Sequence, residues 1–168
     1  MKLIRHILFL ATAALFLTGC NGNDCPLNNT VRLICGFYNT ADGSELAIPD
    51  TLTISVRDSV ILNHSTDTHT VSLPMSYAAD ADTLVFLYTS ADSEASLSDT
   101  LIVSKTNEPH IVSLECGTSV FHVISAVSHS RRTPDETSHY AIDSIAVNNS
   151  NVNFDGQENL KIYYHVYQ

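Results

Sequence analysis

Apolar and polar residues alternate in short runs along most of this chain. Over residues 51–57, Leu52, Ile54 and Val56 fall on one side of an extended backbone while Thr51, Thr53, Ser55 and Arg57 fall on the other. That period of two is the mark of a half-buried strand. Residues 30–38 repeat it with Val31, Leu33, Cys35 and Phe37. Further β-type runs cover 59–63, 69–73, 83–89, 100–104, 110–115, 119–127, 141–147 and 160–167. Turn signals separate them: Asp42-Gly43, Pro74, Pro109, Gly117, Pro134, Asn148-Asn149 and Asp155-Gly156. About ten short strands with frequent turns predict an all-β fold, an antiparallel β-sandwich of immunoglobulin-like type. Residues 90–98 and 128–138 are expected to be mobile loops.

The first twenty residues break the alternation. Lys2 and Arg5 precede an uncharged, mostly apolar run at 7–17, which matches the charged and hydrophobic regions of a secretory signal. The run is too short to cross a bilayer as a helix. It ends in Leu17-Thr18-Gly19-Cys20, which resembles the bacterial lipobox, where the cysteine receives diacylglycerol. Acyl chains on Cys20, palmitate among them, would anchor the protein without a transmembrane helix, each buried methylene contributing roughly 0.8 kcal/mol. The expected organisation is a signal peptide at 1–19, a lipid anchor and linker at 20–29, and one β-sandwich domain at 30–168.

With Cys20 lipidated, Cys25, Cys35 and Cys116 remain in an oxidising compartment, and one is left over. Cys35 shares the apolar face of its strand and reads as a small buried hydrophobe. Cys25 and Cys116 lie at strand margins, so a Cys25–Cys116 disulfide is favoured, with Cys35–Cys116 as the alternative. Either bond would stabilise by about 3–5 kcal/mol in the entropic account. No Cys-x-x-Cys occurs, which removes the thioredoxin-like and cysteine-rich zinc classes.

Composition narrows the partners. Charged residues make up only 15% of the chain, whereas 19 serines and 16 threonines supply polarity, as suits exported β-proteins. Net charge is −10, and becomes −12 once Lys2 and Arg5 are removed with the signal. That balance disfavours nucleic acid as a partner, since binding it requires a basic patch, and no nucleic-acid partner is expected.

The lipobox cysteine, Cys25-Pro26-Leu27, Leu73-Pro74-Met75, Leu114-Glu115-Cys116-Gly117 and Asn159-Leu160-Lys161-Ile162-Tyr163-Tyr164 together resemble a group of small Bacteroidales lipoproteins of unknown function. The likeness runs over nearly the whole mature chain. It implies a single anchored β-domain in a Gram-negative envelope, in the outer membrane, on its periplasmic face or the cell surface. It brings no catalytic or binding residues with it. Asn21-Gly22-Asn23-Asp24 holds one acid, where surface-displayed proteins of that phylum carry an acidic tract, so the side of the membrane stays open.

Candidate chemistry is sparse. No Gly-x-Ser-x-Gly elbow, His-Glu-x-x-His pair or Gly-rich phosphate loop is present. His64 with His69, and His122 with His129, stand five and seven apart, which places each pair on opposite faces of a regular strand. They read as exposed or core-rim histidines. Asn151, Asn153, Asp155 and Gly156 imitate the start of a calcium loop, but Ile162 stands where the bidentate glutamate belongs. A hairpin turn explains them, and no metal or cofactor is expected. Acidic pairs such as Asp80 with Asp82 read as solvated turns. Asp followed by Thr or Ser and then an aliphatic residue recurs at Thr51, Ser59, Thr83, Thr100 and Ser144. Each is a strand entry, and each also resembles the O-glycosylation acceptor of exported proteins in Bacteroides-like bacteria. Face sharing ranks Thr51 and Ser144 as accessible and Thr83 as the poorest site. The functional expectation is a non-catalytic envelope lipoprotein with a binding or structural role toward an envelope protein or glycan. Its alternative is a carbohydrate-binding or transporter-accessory lipoprotein, suggested by Tyr163, Tyr164 and Tyr167, of which Tyr163 and Tyr167 share a face.

Overall fold

The alternation read along residues 30–38 becomes β1, Arg32–Asn39, whose Leu33, Cys35 and Phe37 are buried together with the preceding Val31. The computed structural model of the protein describes residues 30–90, 96–113, 117–130 and 139–166. Every regular element among them is a strand: β2 (Thr51–Val56), β3 (Ser59–Ser65), β4 (Thr70–Pro74), β5 (Ala81–Thr89), β6 (Ser96–Ser113), β7 (Gly117–His129), β8 (Tyr140–Val147), β9 (Asn151–Val152) and β10 (Leu160–Val166). They form a four-stranded sheet ordered β4-β1-β10-β8 and a six-stranded sheet ordered β3-β2-β5-β6-β7-β9. The sheets pack face to face as a sandwich of one domain, the arrangement the alternation predicts.

Between the sheets lies one core. Phe37 meets the Tyr164 ring edge-on at 5.4 Å and Phe86 at 6.5 Å, and Tyr88 stands at right angles to Tyr164 with their hydroxyls 3.1 Å apart. Leu33, Ile54, Leu84, Leu101 and Ile162 close around them, each stabilising the fold by roughly 1.5–3 kcal/mol through burial. Cys35 is a free thiol in this core, and burial pushes it well above the ordinary range of a thiol.

Three features depart from the expected pattern. Pairing is antiparallel except between β1 and β10, which run parallel from Cys35↔Leu160 to Asn39↔Tyr164. A parallel neighbour needs only a long connection between the two strands, and the rest of the domain supplies it. Second, the runs at 100–104 and 110–115 belong to one strand, β6. Its β5 neighbour ends opposite Ser104, and the last backbone bond on that flank is Lys105 N–H to Asp80 O, so from Thr106 onward β6 pairs with β7 alone, and Pro109 is tolerated there. β9 flanks β7 at His122 and Val123, and beyond them Glu108–Ser113 and the facing part of β7 form a two-stranded arm of roughly 20 Å. Third, residues 96–98, expected in a loop, begin β6, while 128 and 129 finish β7.

Candidate functional site

The most unusual residues of the sandwich lie where the arm leaves it. In β5, Asp82 is in phase with the buried Leu84, Phe86 and Tyr88, and in β6, Lys105 is in phase with Leu101 and Val103. Both charges therefore point inward, and both side chains are buried. Asp82, expected in a solvated acidic turn, is instead an interior residue because the strand begins at Ala81 and carries it into the buried phase.

The 75–80 connection folds over this pair. Lys105 Nζ donates to Ser76 O at 2.5 Å, Ala79 O at 2.8 Å and Asn107 Oδ1 at 2.6 Å, which uses all three ammonium hydrogens, and Asp82 Oδ2 stands 3.6 Å away. Asp82 Oδ2 accepts from Ser76 N–H at 3.0 Å. Asn107 Nδ2 donates to Ala79 O at 3.0 Å, which orients the amide and leaves Oδ1 toward His122 Nδ1, 2.7 Å away. Since Oδ1 is an acceptor, His122 carries its proton on Nδ1. Tyr77 stacks on the imidazole at 6.3 Å, and His122 Nε2 is buried without a partner among the described residues. Burial lowers the Lys105 pKa, with Asp82 opposing that shift. Burial, joined by the neighbouring Lys105 charge, lowers His122 to about 4. The cluster thus holds a neutral imidazole and a fully bonded ammonium, and its chemistry is to dock the 75–80 connection onto the large sheet.

Next to Asp82 the two sheets part. A recess of about 290 Å³ opens between the β2–β3 turn and the β4–β5 connection, lined by Val56, Arg57, Ile61, Pro74, Met75 and Asp82. Arg57 and Asp58 form the two-residue turn with φ of 46° and 65°. Both values fit a hairpin turn whose twist matches its strands.

Two aromatic groups lie on outer surfaces. Tyr38 and Tyr163 are register partners with rings 5.6 Å apart on the small sheet. Tyr38 donates to Glu158 Oε2 at 2.9 Å, Lys161 Nζ lies 5.0 Å from its ring centre, and burial with that hydrogen bond pushes its hydroxyl up to about 12. On the arm, Phe121 stacks with His110 at 4.3 Å and meets Phe154 edge-on at 5.3 Å. Phe154 and Ile111 are exposed, Ile111 to 70%.

The residues singled out from sequence are dispersed. Cys20, Cys25, Cys116 and Tyr167 lie outside the described residues, so the lipid site and the favoured disulfide do as well. Ser59 and Ser144 are exposed, and Thr51 and Thr100 are half-buried. Thr83, ranked least accessible, is exposed, because β2 ends opposite Leu84 and leaves Thr83 without a neighbour on that side. Two of the five preceding aspartates have internal roles: Asp82 in the cluster, and Asp99, which accepts from Ile142 N–H at 3.1 Å. His122 is buried rather than at the rim. It also shares a face with His129, since Ser125 is left over between the pairs Ser104↔Ala126 and Lys105↔Ile124 and shifts the phase by one. His64 and His69 are exposed, as expected. In the calcium-like stretch, Asn149, Asn153 and Asp155 side-chain oxygens accept the backbone N–H groups of Asn151, Asp155 and Gln157, a series of Asx turns.

A family model described as a family of unknown function, DUF6452, matches residues 50–164. That span runs from β2 into β10, ending at Tyr164, and includes the buried cluster and the recess. No curated protein and no solved structure matches the chain.

Proposed function

The chain belongs to the DUF6452 family of unknown function, and from that premise we propose that it is a lipid-anchored protein of the cell envelope that binds another envelope component without catalysing a reaction. The observation that carries this reading is the position of Leu17-Thr18-Gly19-Cys20 directly after an apolar run of signal-peptide length. Acylated Cys20 holds the sandwich at the outer membrane, on the periplasmic face or the cell surface, through a short linker. Supporting the non-catalytic part, the Lys105–Asp82–His122 group is internal and its donors are spent on Ser76 O and Ala79 O of the 75–80 connection and on Asn107 Oδ1. Exposed apolar side chains support binding, most of all Ile111 on the arm and Phe154, which follows β9 and meets the half-buried Phe121 of β7.

A second reading, carbohydrate binding, is favoured by Tyr38 and Tyr163, which stand side by side on the small sheet with Glu158 and Lys161 at hand for hydroxyl groups. Three measurements separate the two readings. Cys20→Ser should move the protein from the membrane fraction to the soluble fraction, and a photo-crosslinker at Ile111 in native cells should capture an envelope protein. Retention of the variant in membranes refutes the anchor. Binding on a glycan array that is lost in Tyr163→Ala, with no crosslinked protein, would replace the first reading by the second.

A further inference from the structure

The two oxygens of Asp82 have different surroundings. Oδ2 accepts from Ser76 N–H and faces Lys105. Oδ1 is buried and has no hydrogen-bond partner among the described residues. A buried acceptor without a donor is costly, and native proteins seldom leave one without an occupant nearby. Asp82 is only 3% exposed, yet it lines the recess, whose other walls are the apolar side chains of Val56, Ile61, Pro74 and Met75 together with the polar Arg57, Ser59 and Ser76. The recess, about 290 Å³, exceeds the roughly 150 Å³ of an engineered cavity that takes up benzene. It has room for a ring with a short substituent.

We propose that this recess is a binding site for a small, mainly apolar molecule bearing one neutral hydrogen-bond donor, a hydroxyl or an amide N–H, which Asp82 receives through Oδ1. The charges select the neutral head. Lys105 already balances the Asp82 carboxylate, and Arg57, which makes no ion pair among the described residues, adds positive charge at the rim. A cationic head therefore meets repulsion from Arg57 without an unbalanced carboxylate to hold it. An anionic head would be drawn to Arg57 at the rim, but it carries no hydrogen to donate to Oδ1 and so leaves that oxygen unsatisfied. Met75, unbranched and polarisable, supplies a wall that adapts to the shape of the apolar body. This site goes beyond the envelope role above and does not depend on the acyl chain, so the failure of either leaves the other standing.

The test is methyl NMR of the purified full chain titrated with p-cresol, toluene and benzylamine. p-Cresol should shift the Met75 and Ile61 methyls saturably, with Kd on the order of 1 mM for a ligand of that size. Toluene, of similar shape without the donor, should bind at least ~10-fold more weakly, and benzylamine no more tightly than p-cresol. Ile61→Trp, which fills the recess away from the buried cluster, should abolish the shift at Met75. Asp82→Asn should weaken p-cresol and leave toluene unchanged; if that variant does not fold, Ile61→Trp and the ligand series still decide. Equal affinity for p-cresol and toluene, tighter binding of benzylamine, shifts without saturation, or binding that survives Ile61→Trp would overturn the proposal.

Discussion

Replacing Lys105 by Met removes an ammonium while keeping the side-chain length, so it isolates what the charge does. In the native protein the ammonium meets Ser76 O, Ala79 O and Asn107 Oδ1 at 2.5, 2.8 and 2.6 Å, and faces Asp82 at 3.6 Å. In Lys105→Met all four lose the ammonium: Ala79 O, Asn107 Oδ1 and Asp82 Oδ2 keep their bonds with Asn107 Nδ2, His122 Nδ1 and Ser76 N–H, while Ser76 O loses its side-chain donor and the Asp82 charge its counter-ion. Removing one member of a buried ion pair costs about 3–5 kcal/mol, chiefly because the remaining charge is left uncompensated. Methionine fills nearly the same volume, so little of the loss comes from a cavity. For a domain of this size, each kcal/mol lowers Tm by about 2–4 °C, which gives a drop of roughly 6–20 °C. Thermal and urea unfolding read the loss, and hydrogen exchange locates it, with amides of the 75–80 connection exchanging faster than those of β2 or β10. The double variant Lys105→Met/Asp82→Leu should recover part of the loss, since no lone charge remains, with a coupling of at least ~1 kcal/mol. A loss below ~1 kcal/mol, or strict additivity of the two substitutions, would refute the view that this ion pair clamps the connection.

Stability should also depend on pH through His122. Its pKa is lowered from 6.5 to about 4, so between those values the unfolded chain takes up a proton that the folded chain refuses. Stability therefore falls as pH drops through that window, by roughly 3 kcal/mol at full extent. His122→Asn should flatten this part of the urea-unfolding profile, and an unchanged slope would count against a neutral buried imidazole. Cys35, buried and with its thiol pKa raised, should resist iodoacetamide in the folded protein and react in urea, while non-reducing peptide mapping joins Cys25 to Cys116. A Cys35–Cys116 peptide would instead require β1 to expose that side chain. The intact mass of the native protein, after allowance for lipid, should exceed the sequence mass and fall in Ser144→Ala, whose hydroxyl is exposed on an edge strand. An unmodified mass would reduce the five Asp-Thr/Ser tripeptides to strand entries.

Residues whose neighbours are fixed by their own strand were legible in advance. Leu52 and Ile54 are buried while Thr51, Thr53 and Ser55 are half-buried, as the period of two requires. The same logic held the key to the cluster. Asp82 shares its phase with Leu84 and Phe86, and Lys105 with Leu101 and Val103, so an inward carboxylate beside an inward ammonium was written into the alternation. The composition of the loops around Asp80 hid it. What could not be read depends on other strands. The continuity of β6 through Pro109 follows from where β5 ends, and the His122–His129 phase follows from a single unpaired residue, Ser125. The recess is assembled from the β2–β3 turn, β3 and the β4–β5 connection, and no local pattern brings those together.

The parallel seating of β1 beside β10 governs how the domain would carry tension. β1 is an inner strand, paired over five positions with β10 on one side and five with β4 on the other. A pull on the chain ahead of Arg32 acts along the strand axis, so both ladders are loaded in shear and their hydrogen bonds must yield together. A pull on an outer strand such as β3 would peel one bond after another at much lower force. Forced unfolding is governed by the rate of crossing the unfolding barrier rather than by equilibrium stability. A force entering through β1 therefore loads two ladders in shear at once, where the same force entering through an edge strand would open one ladder bond by bond.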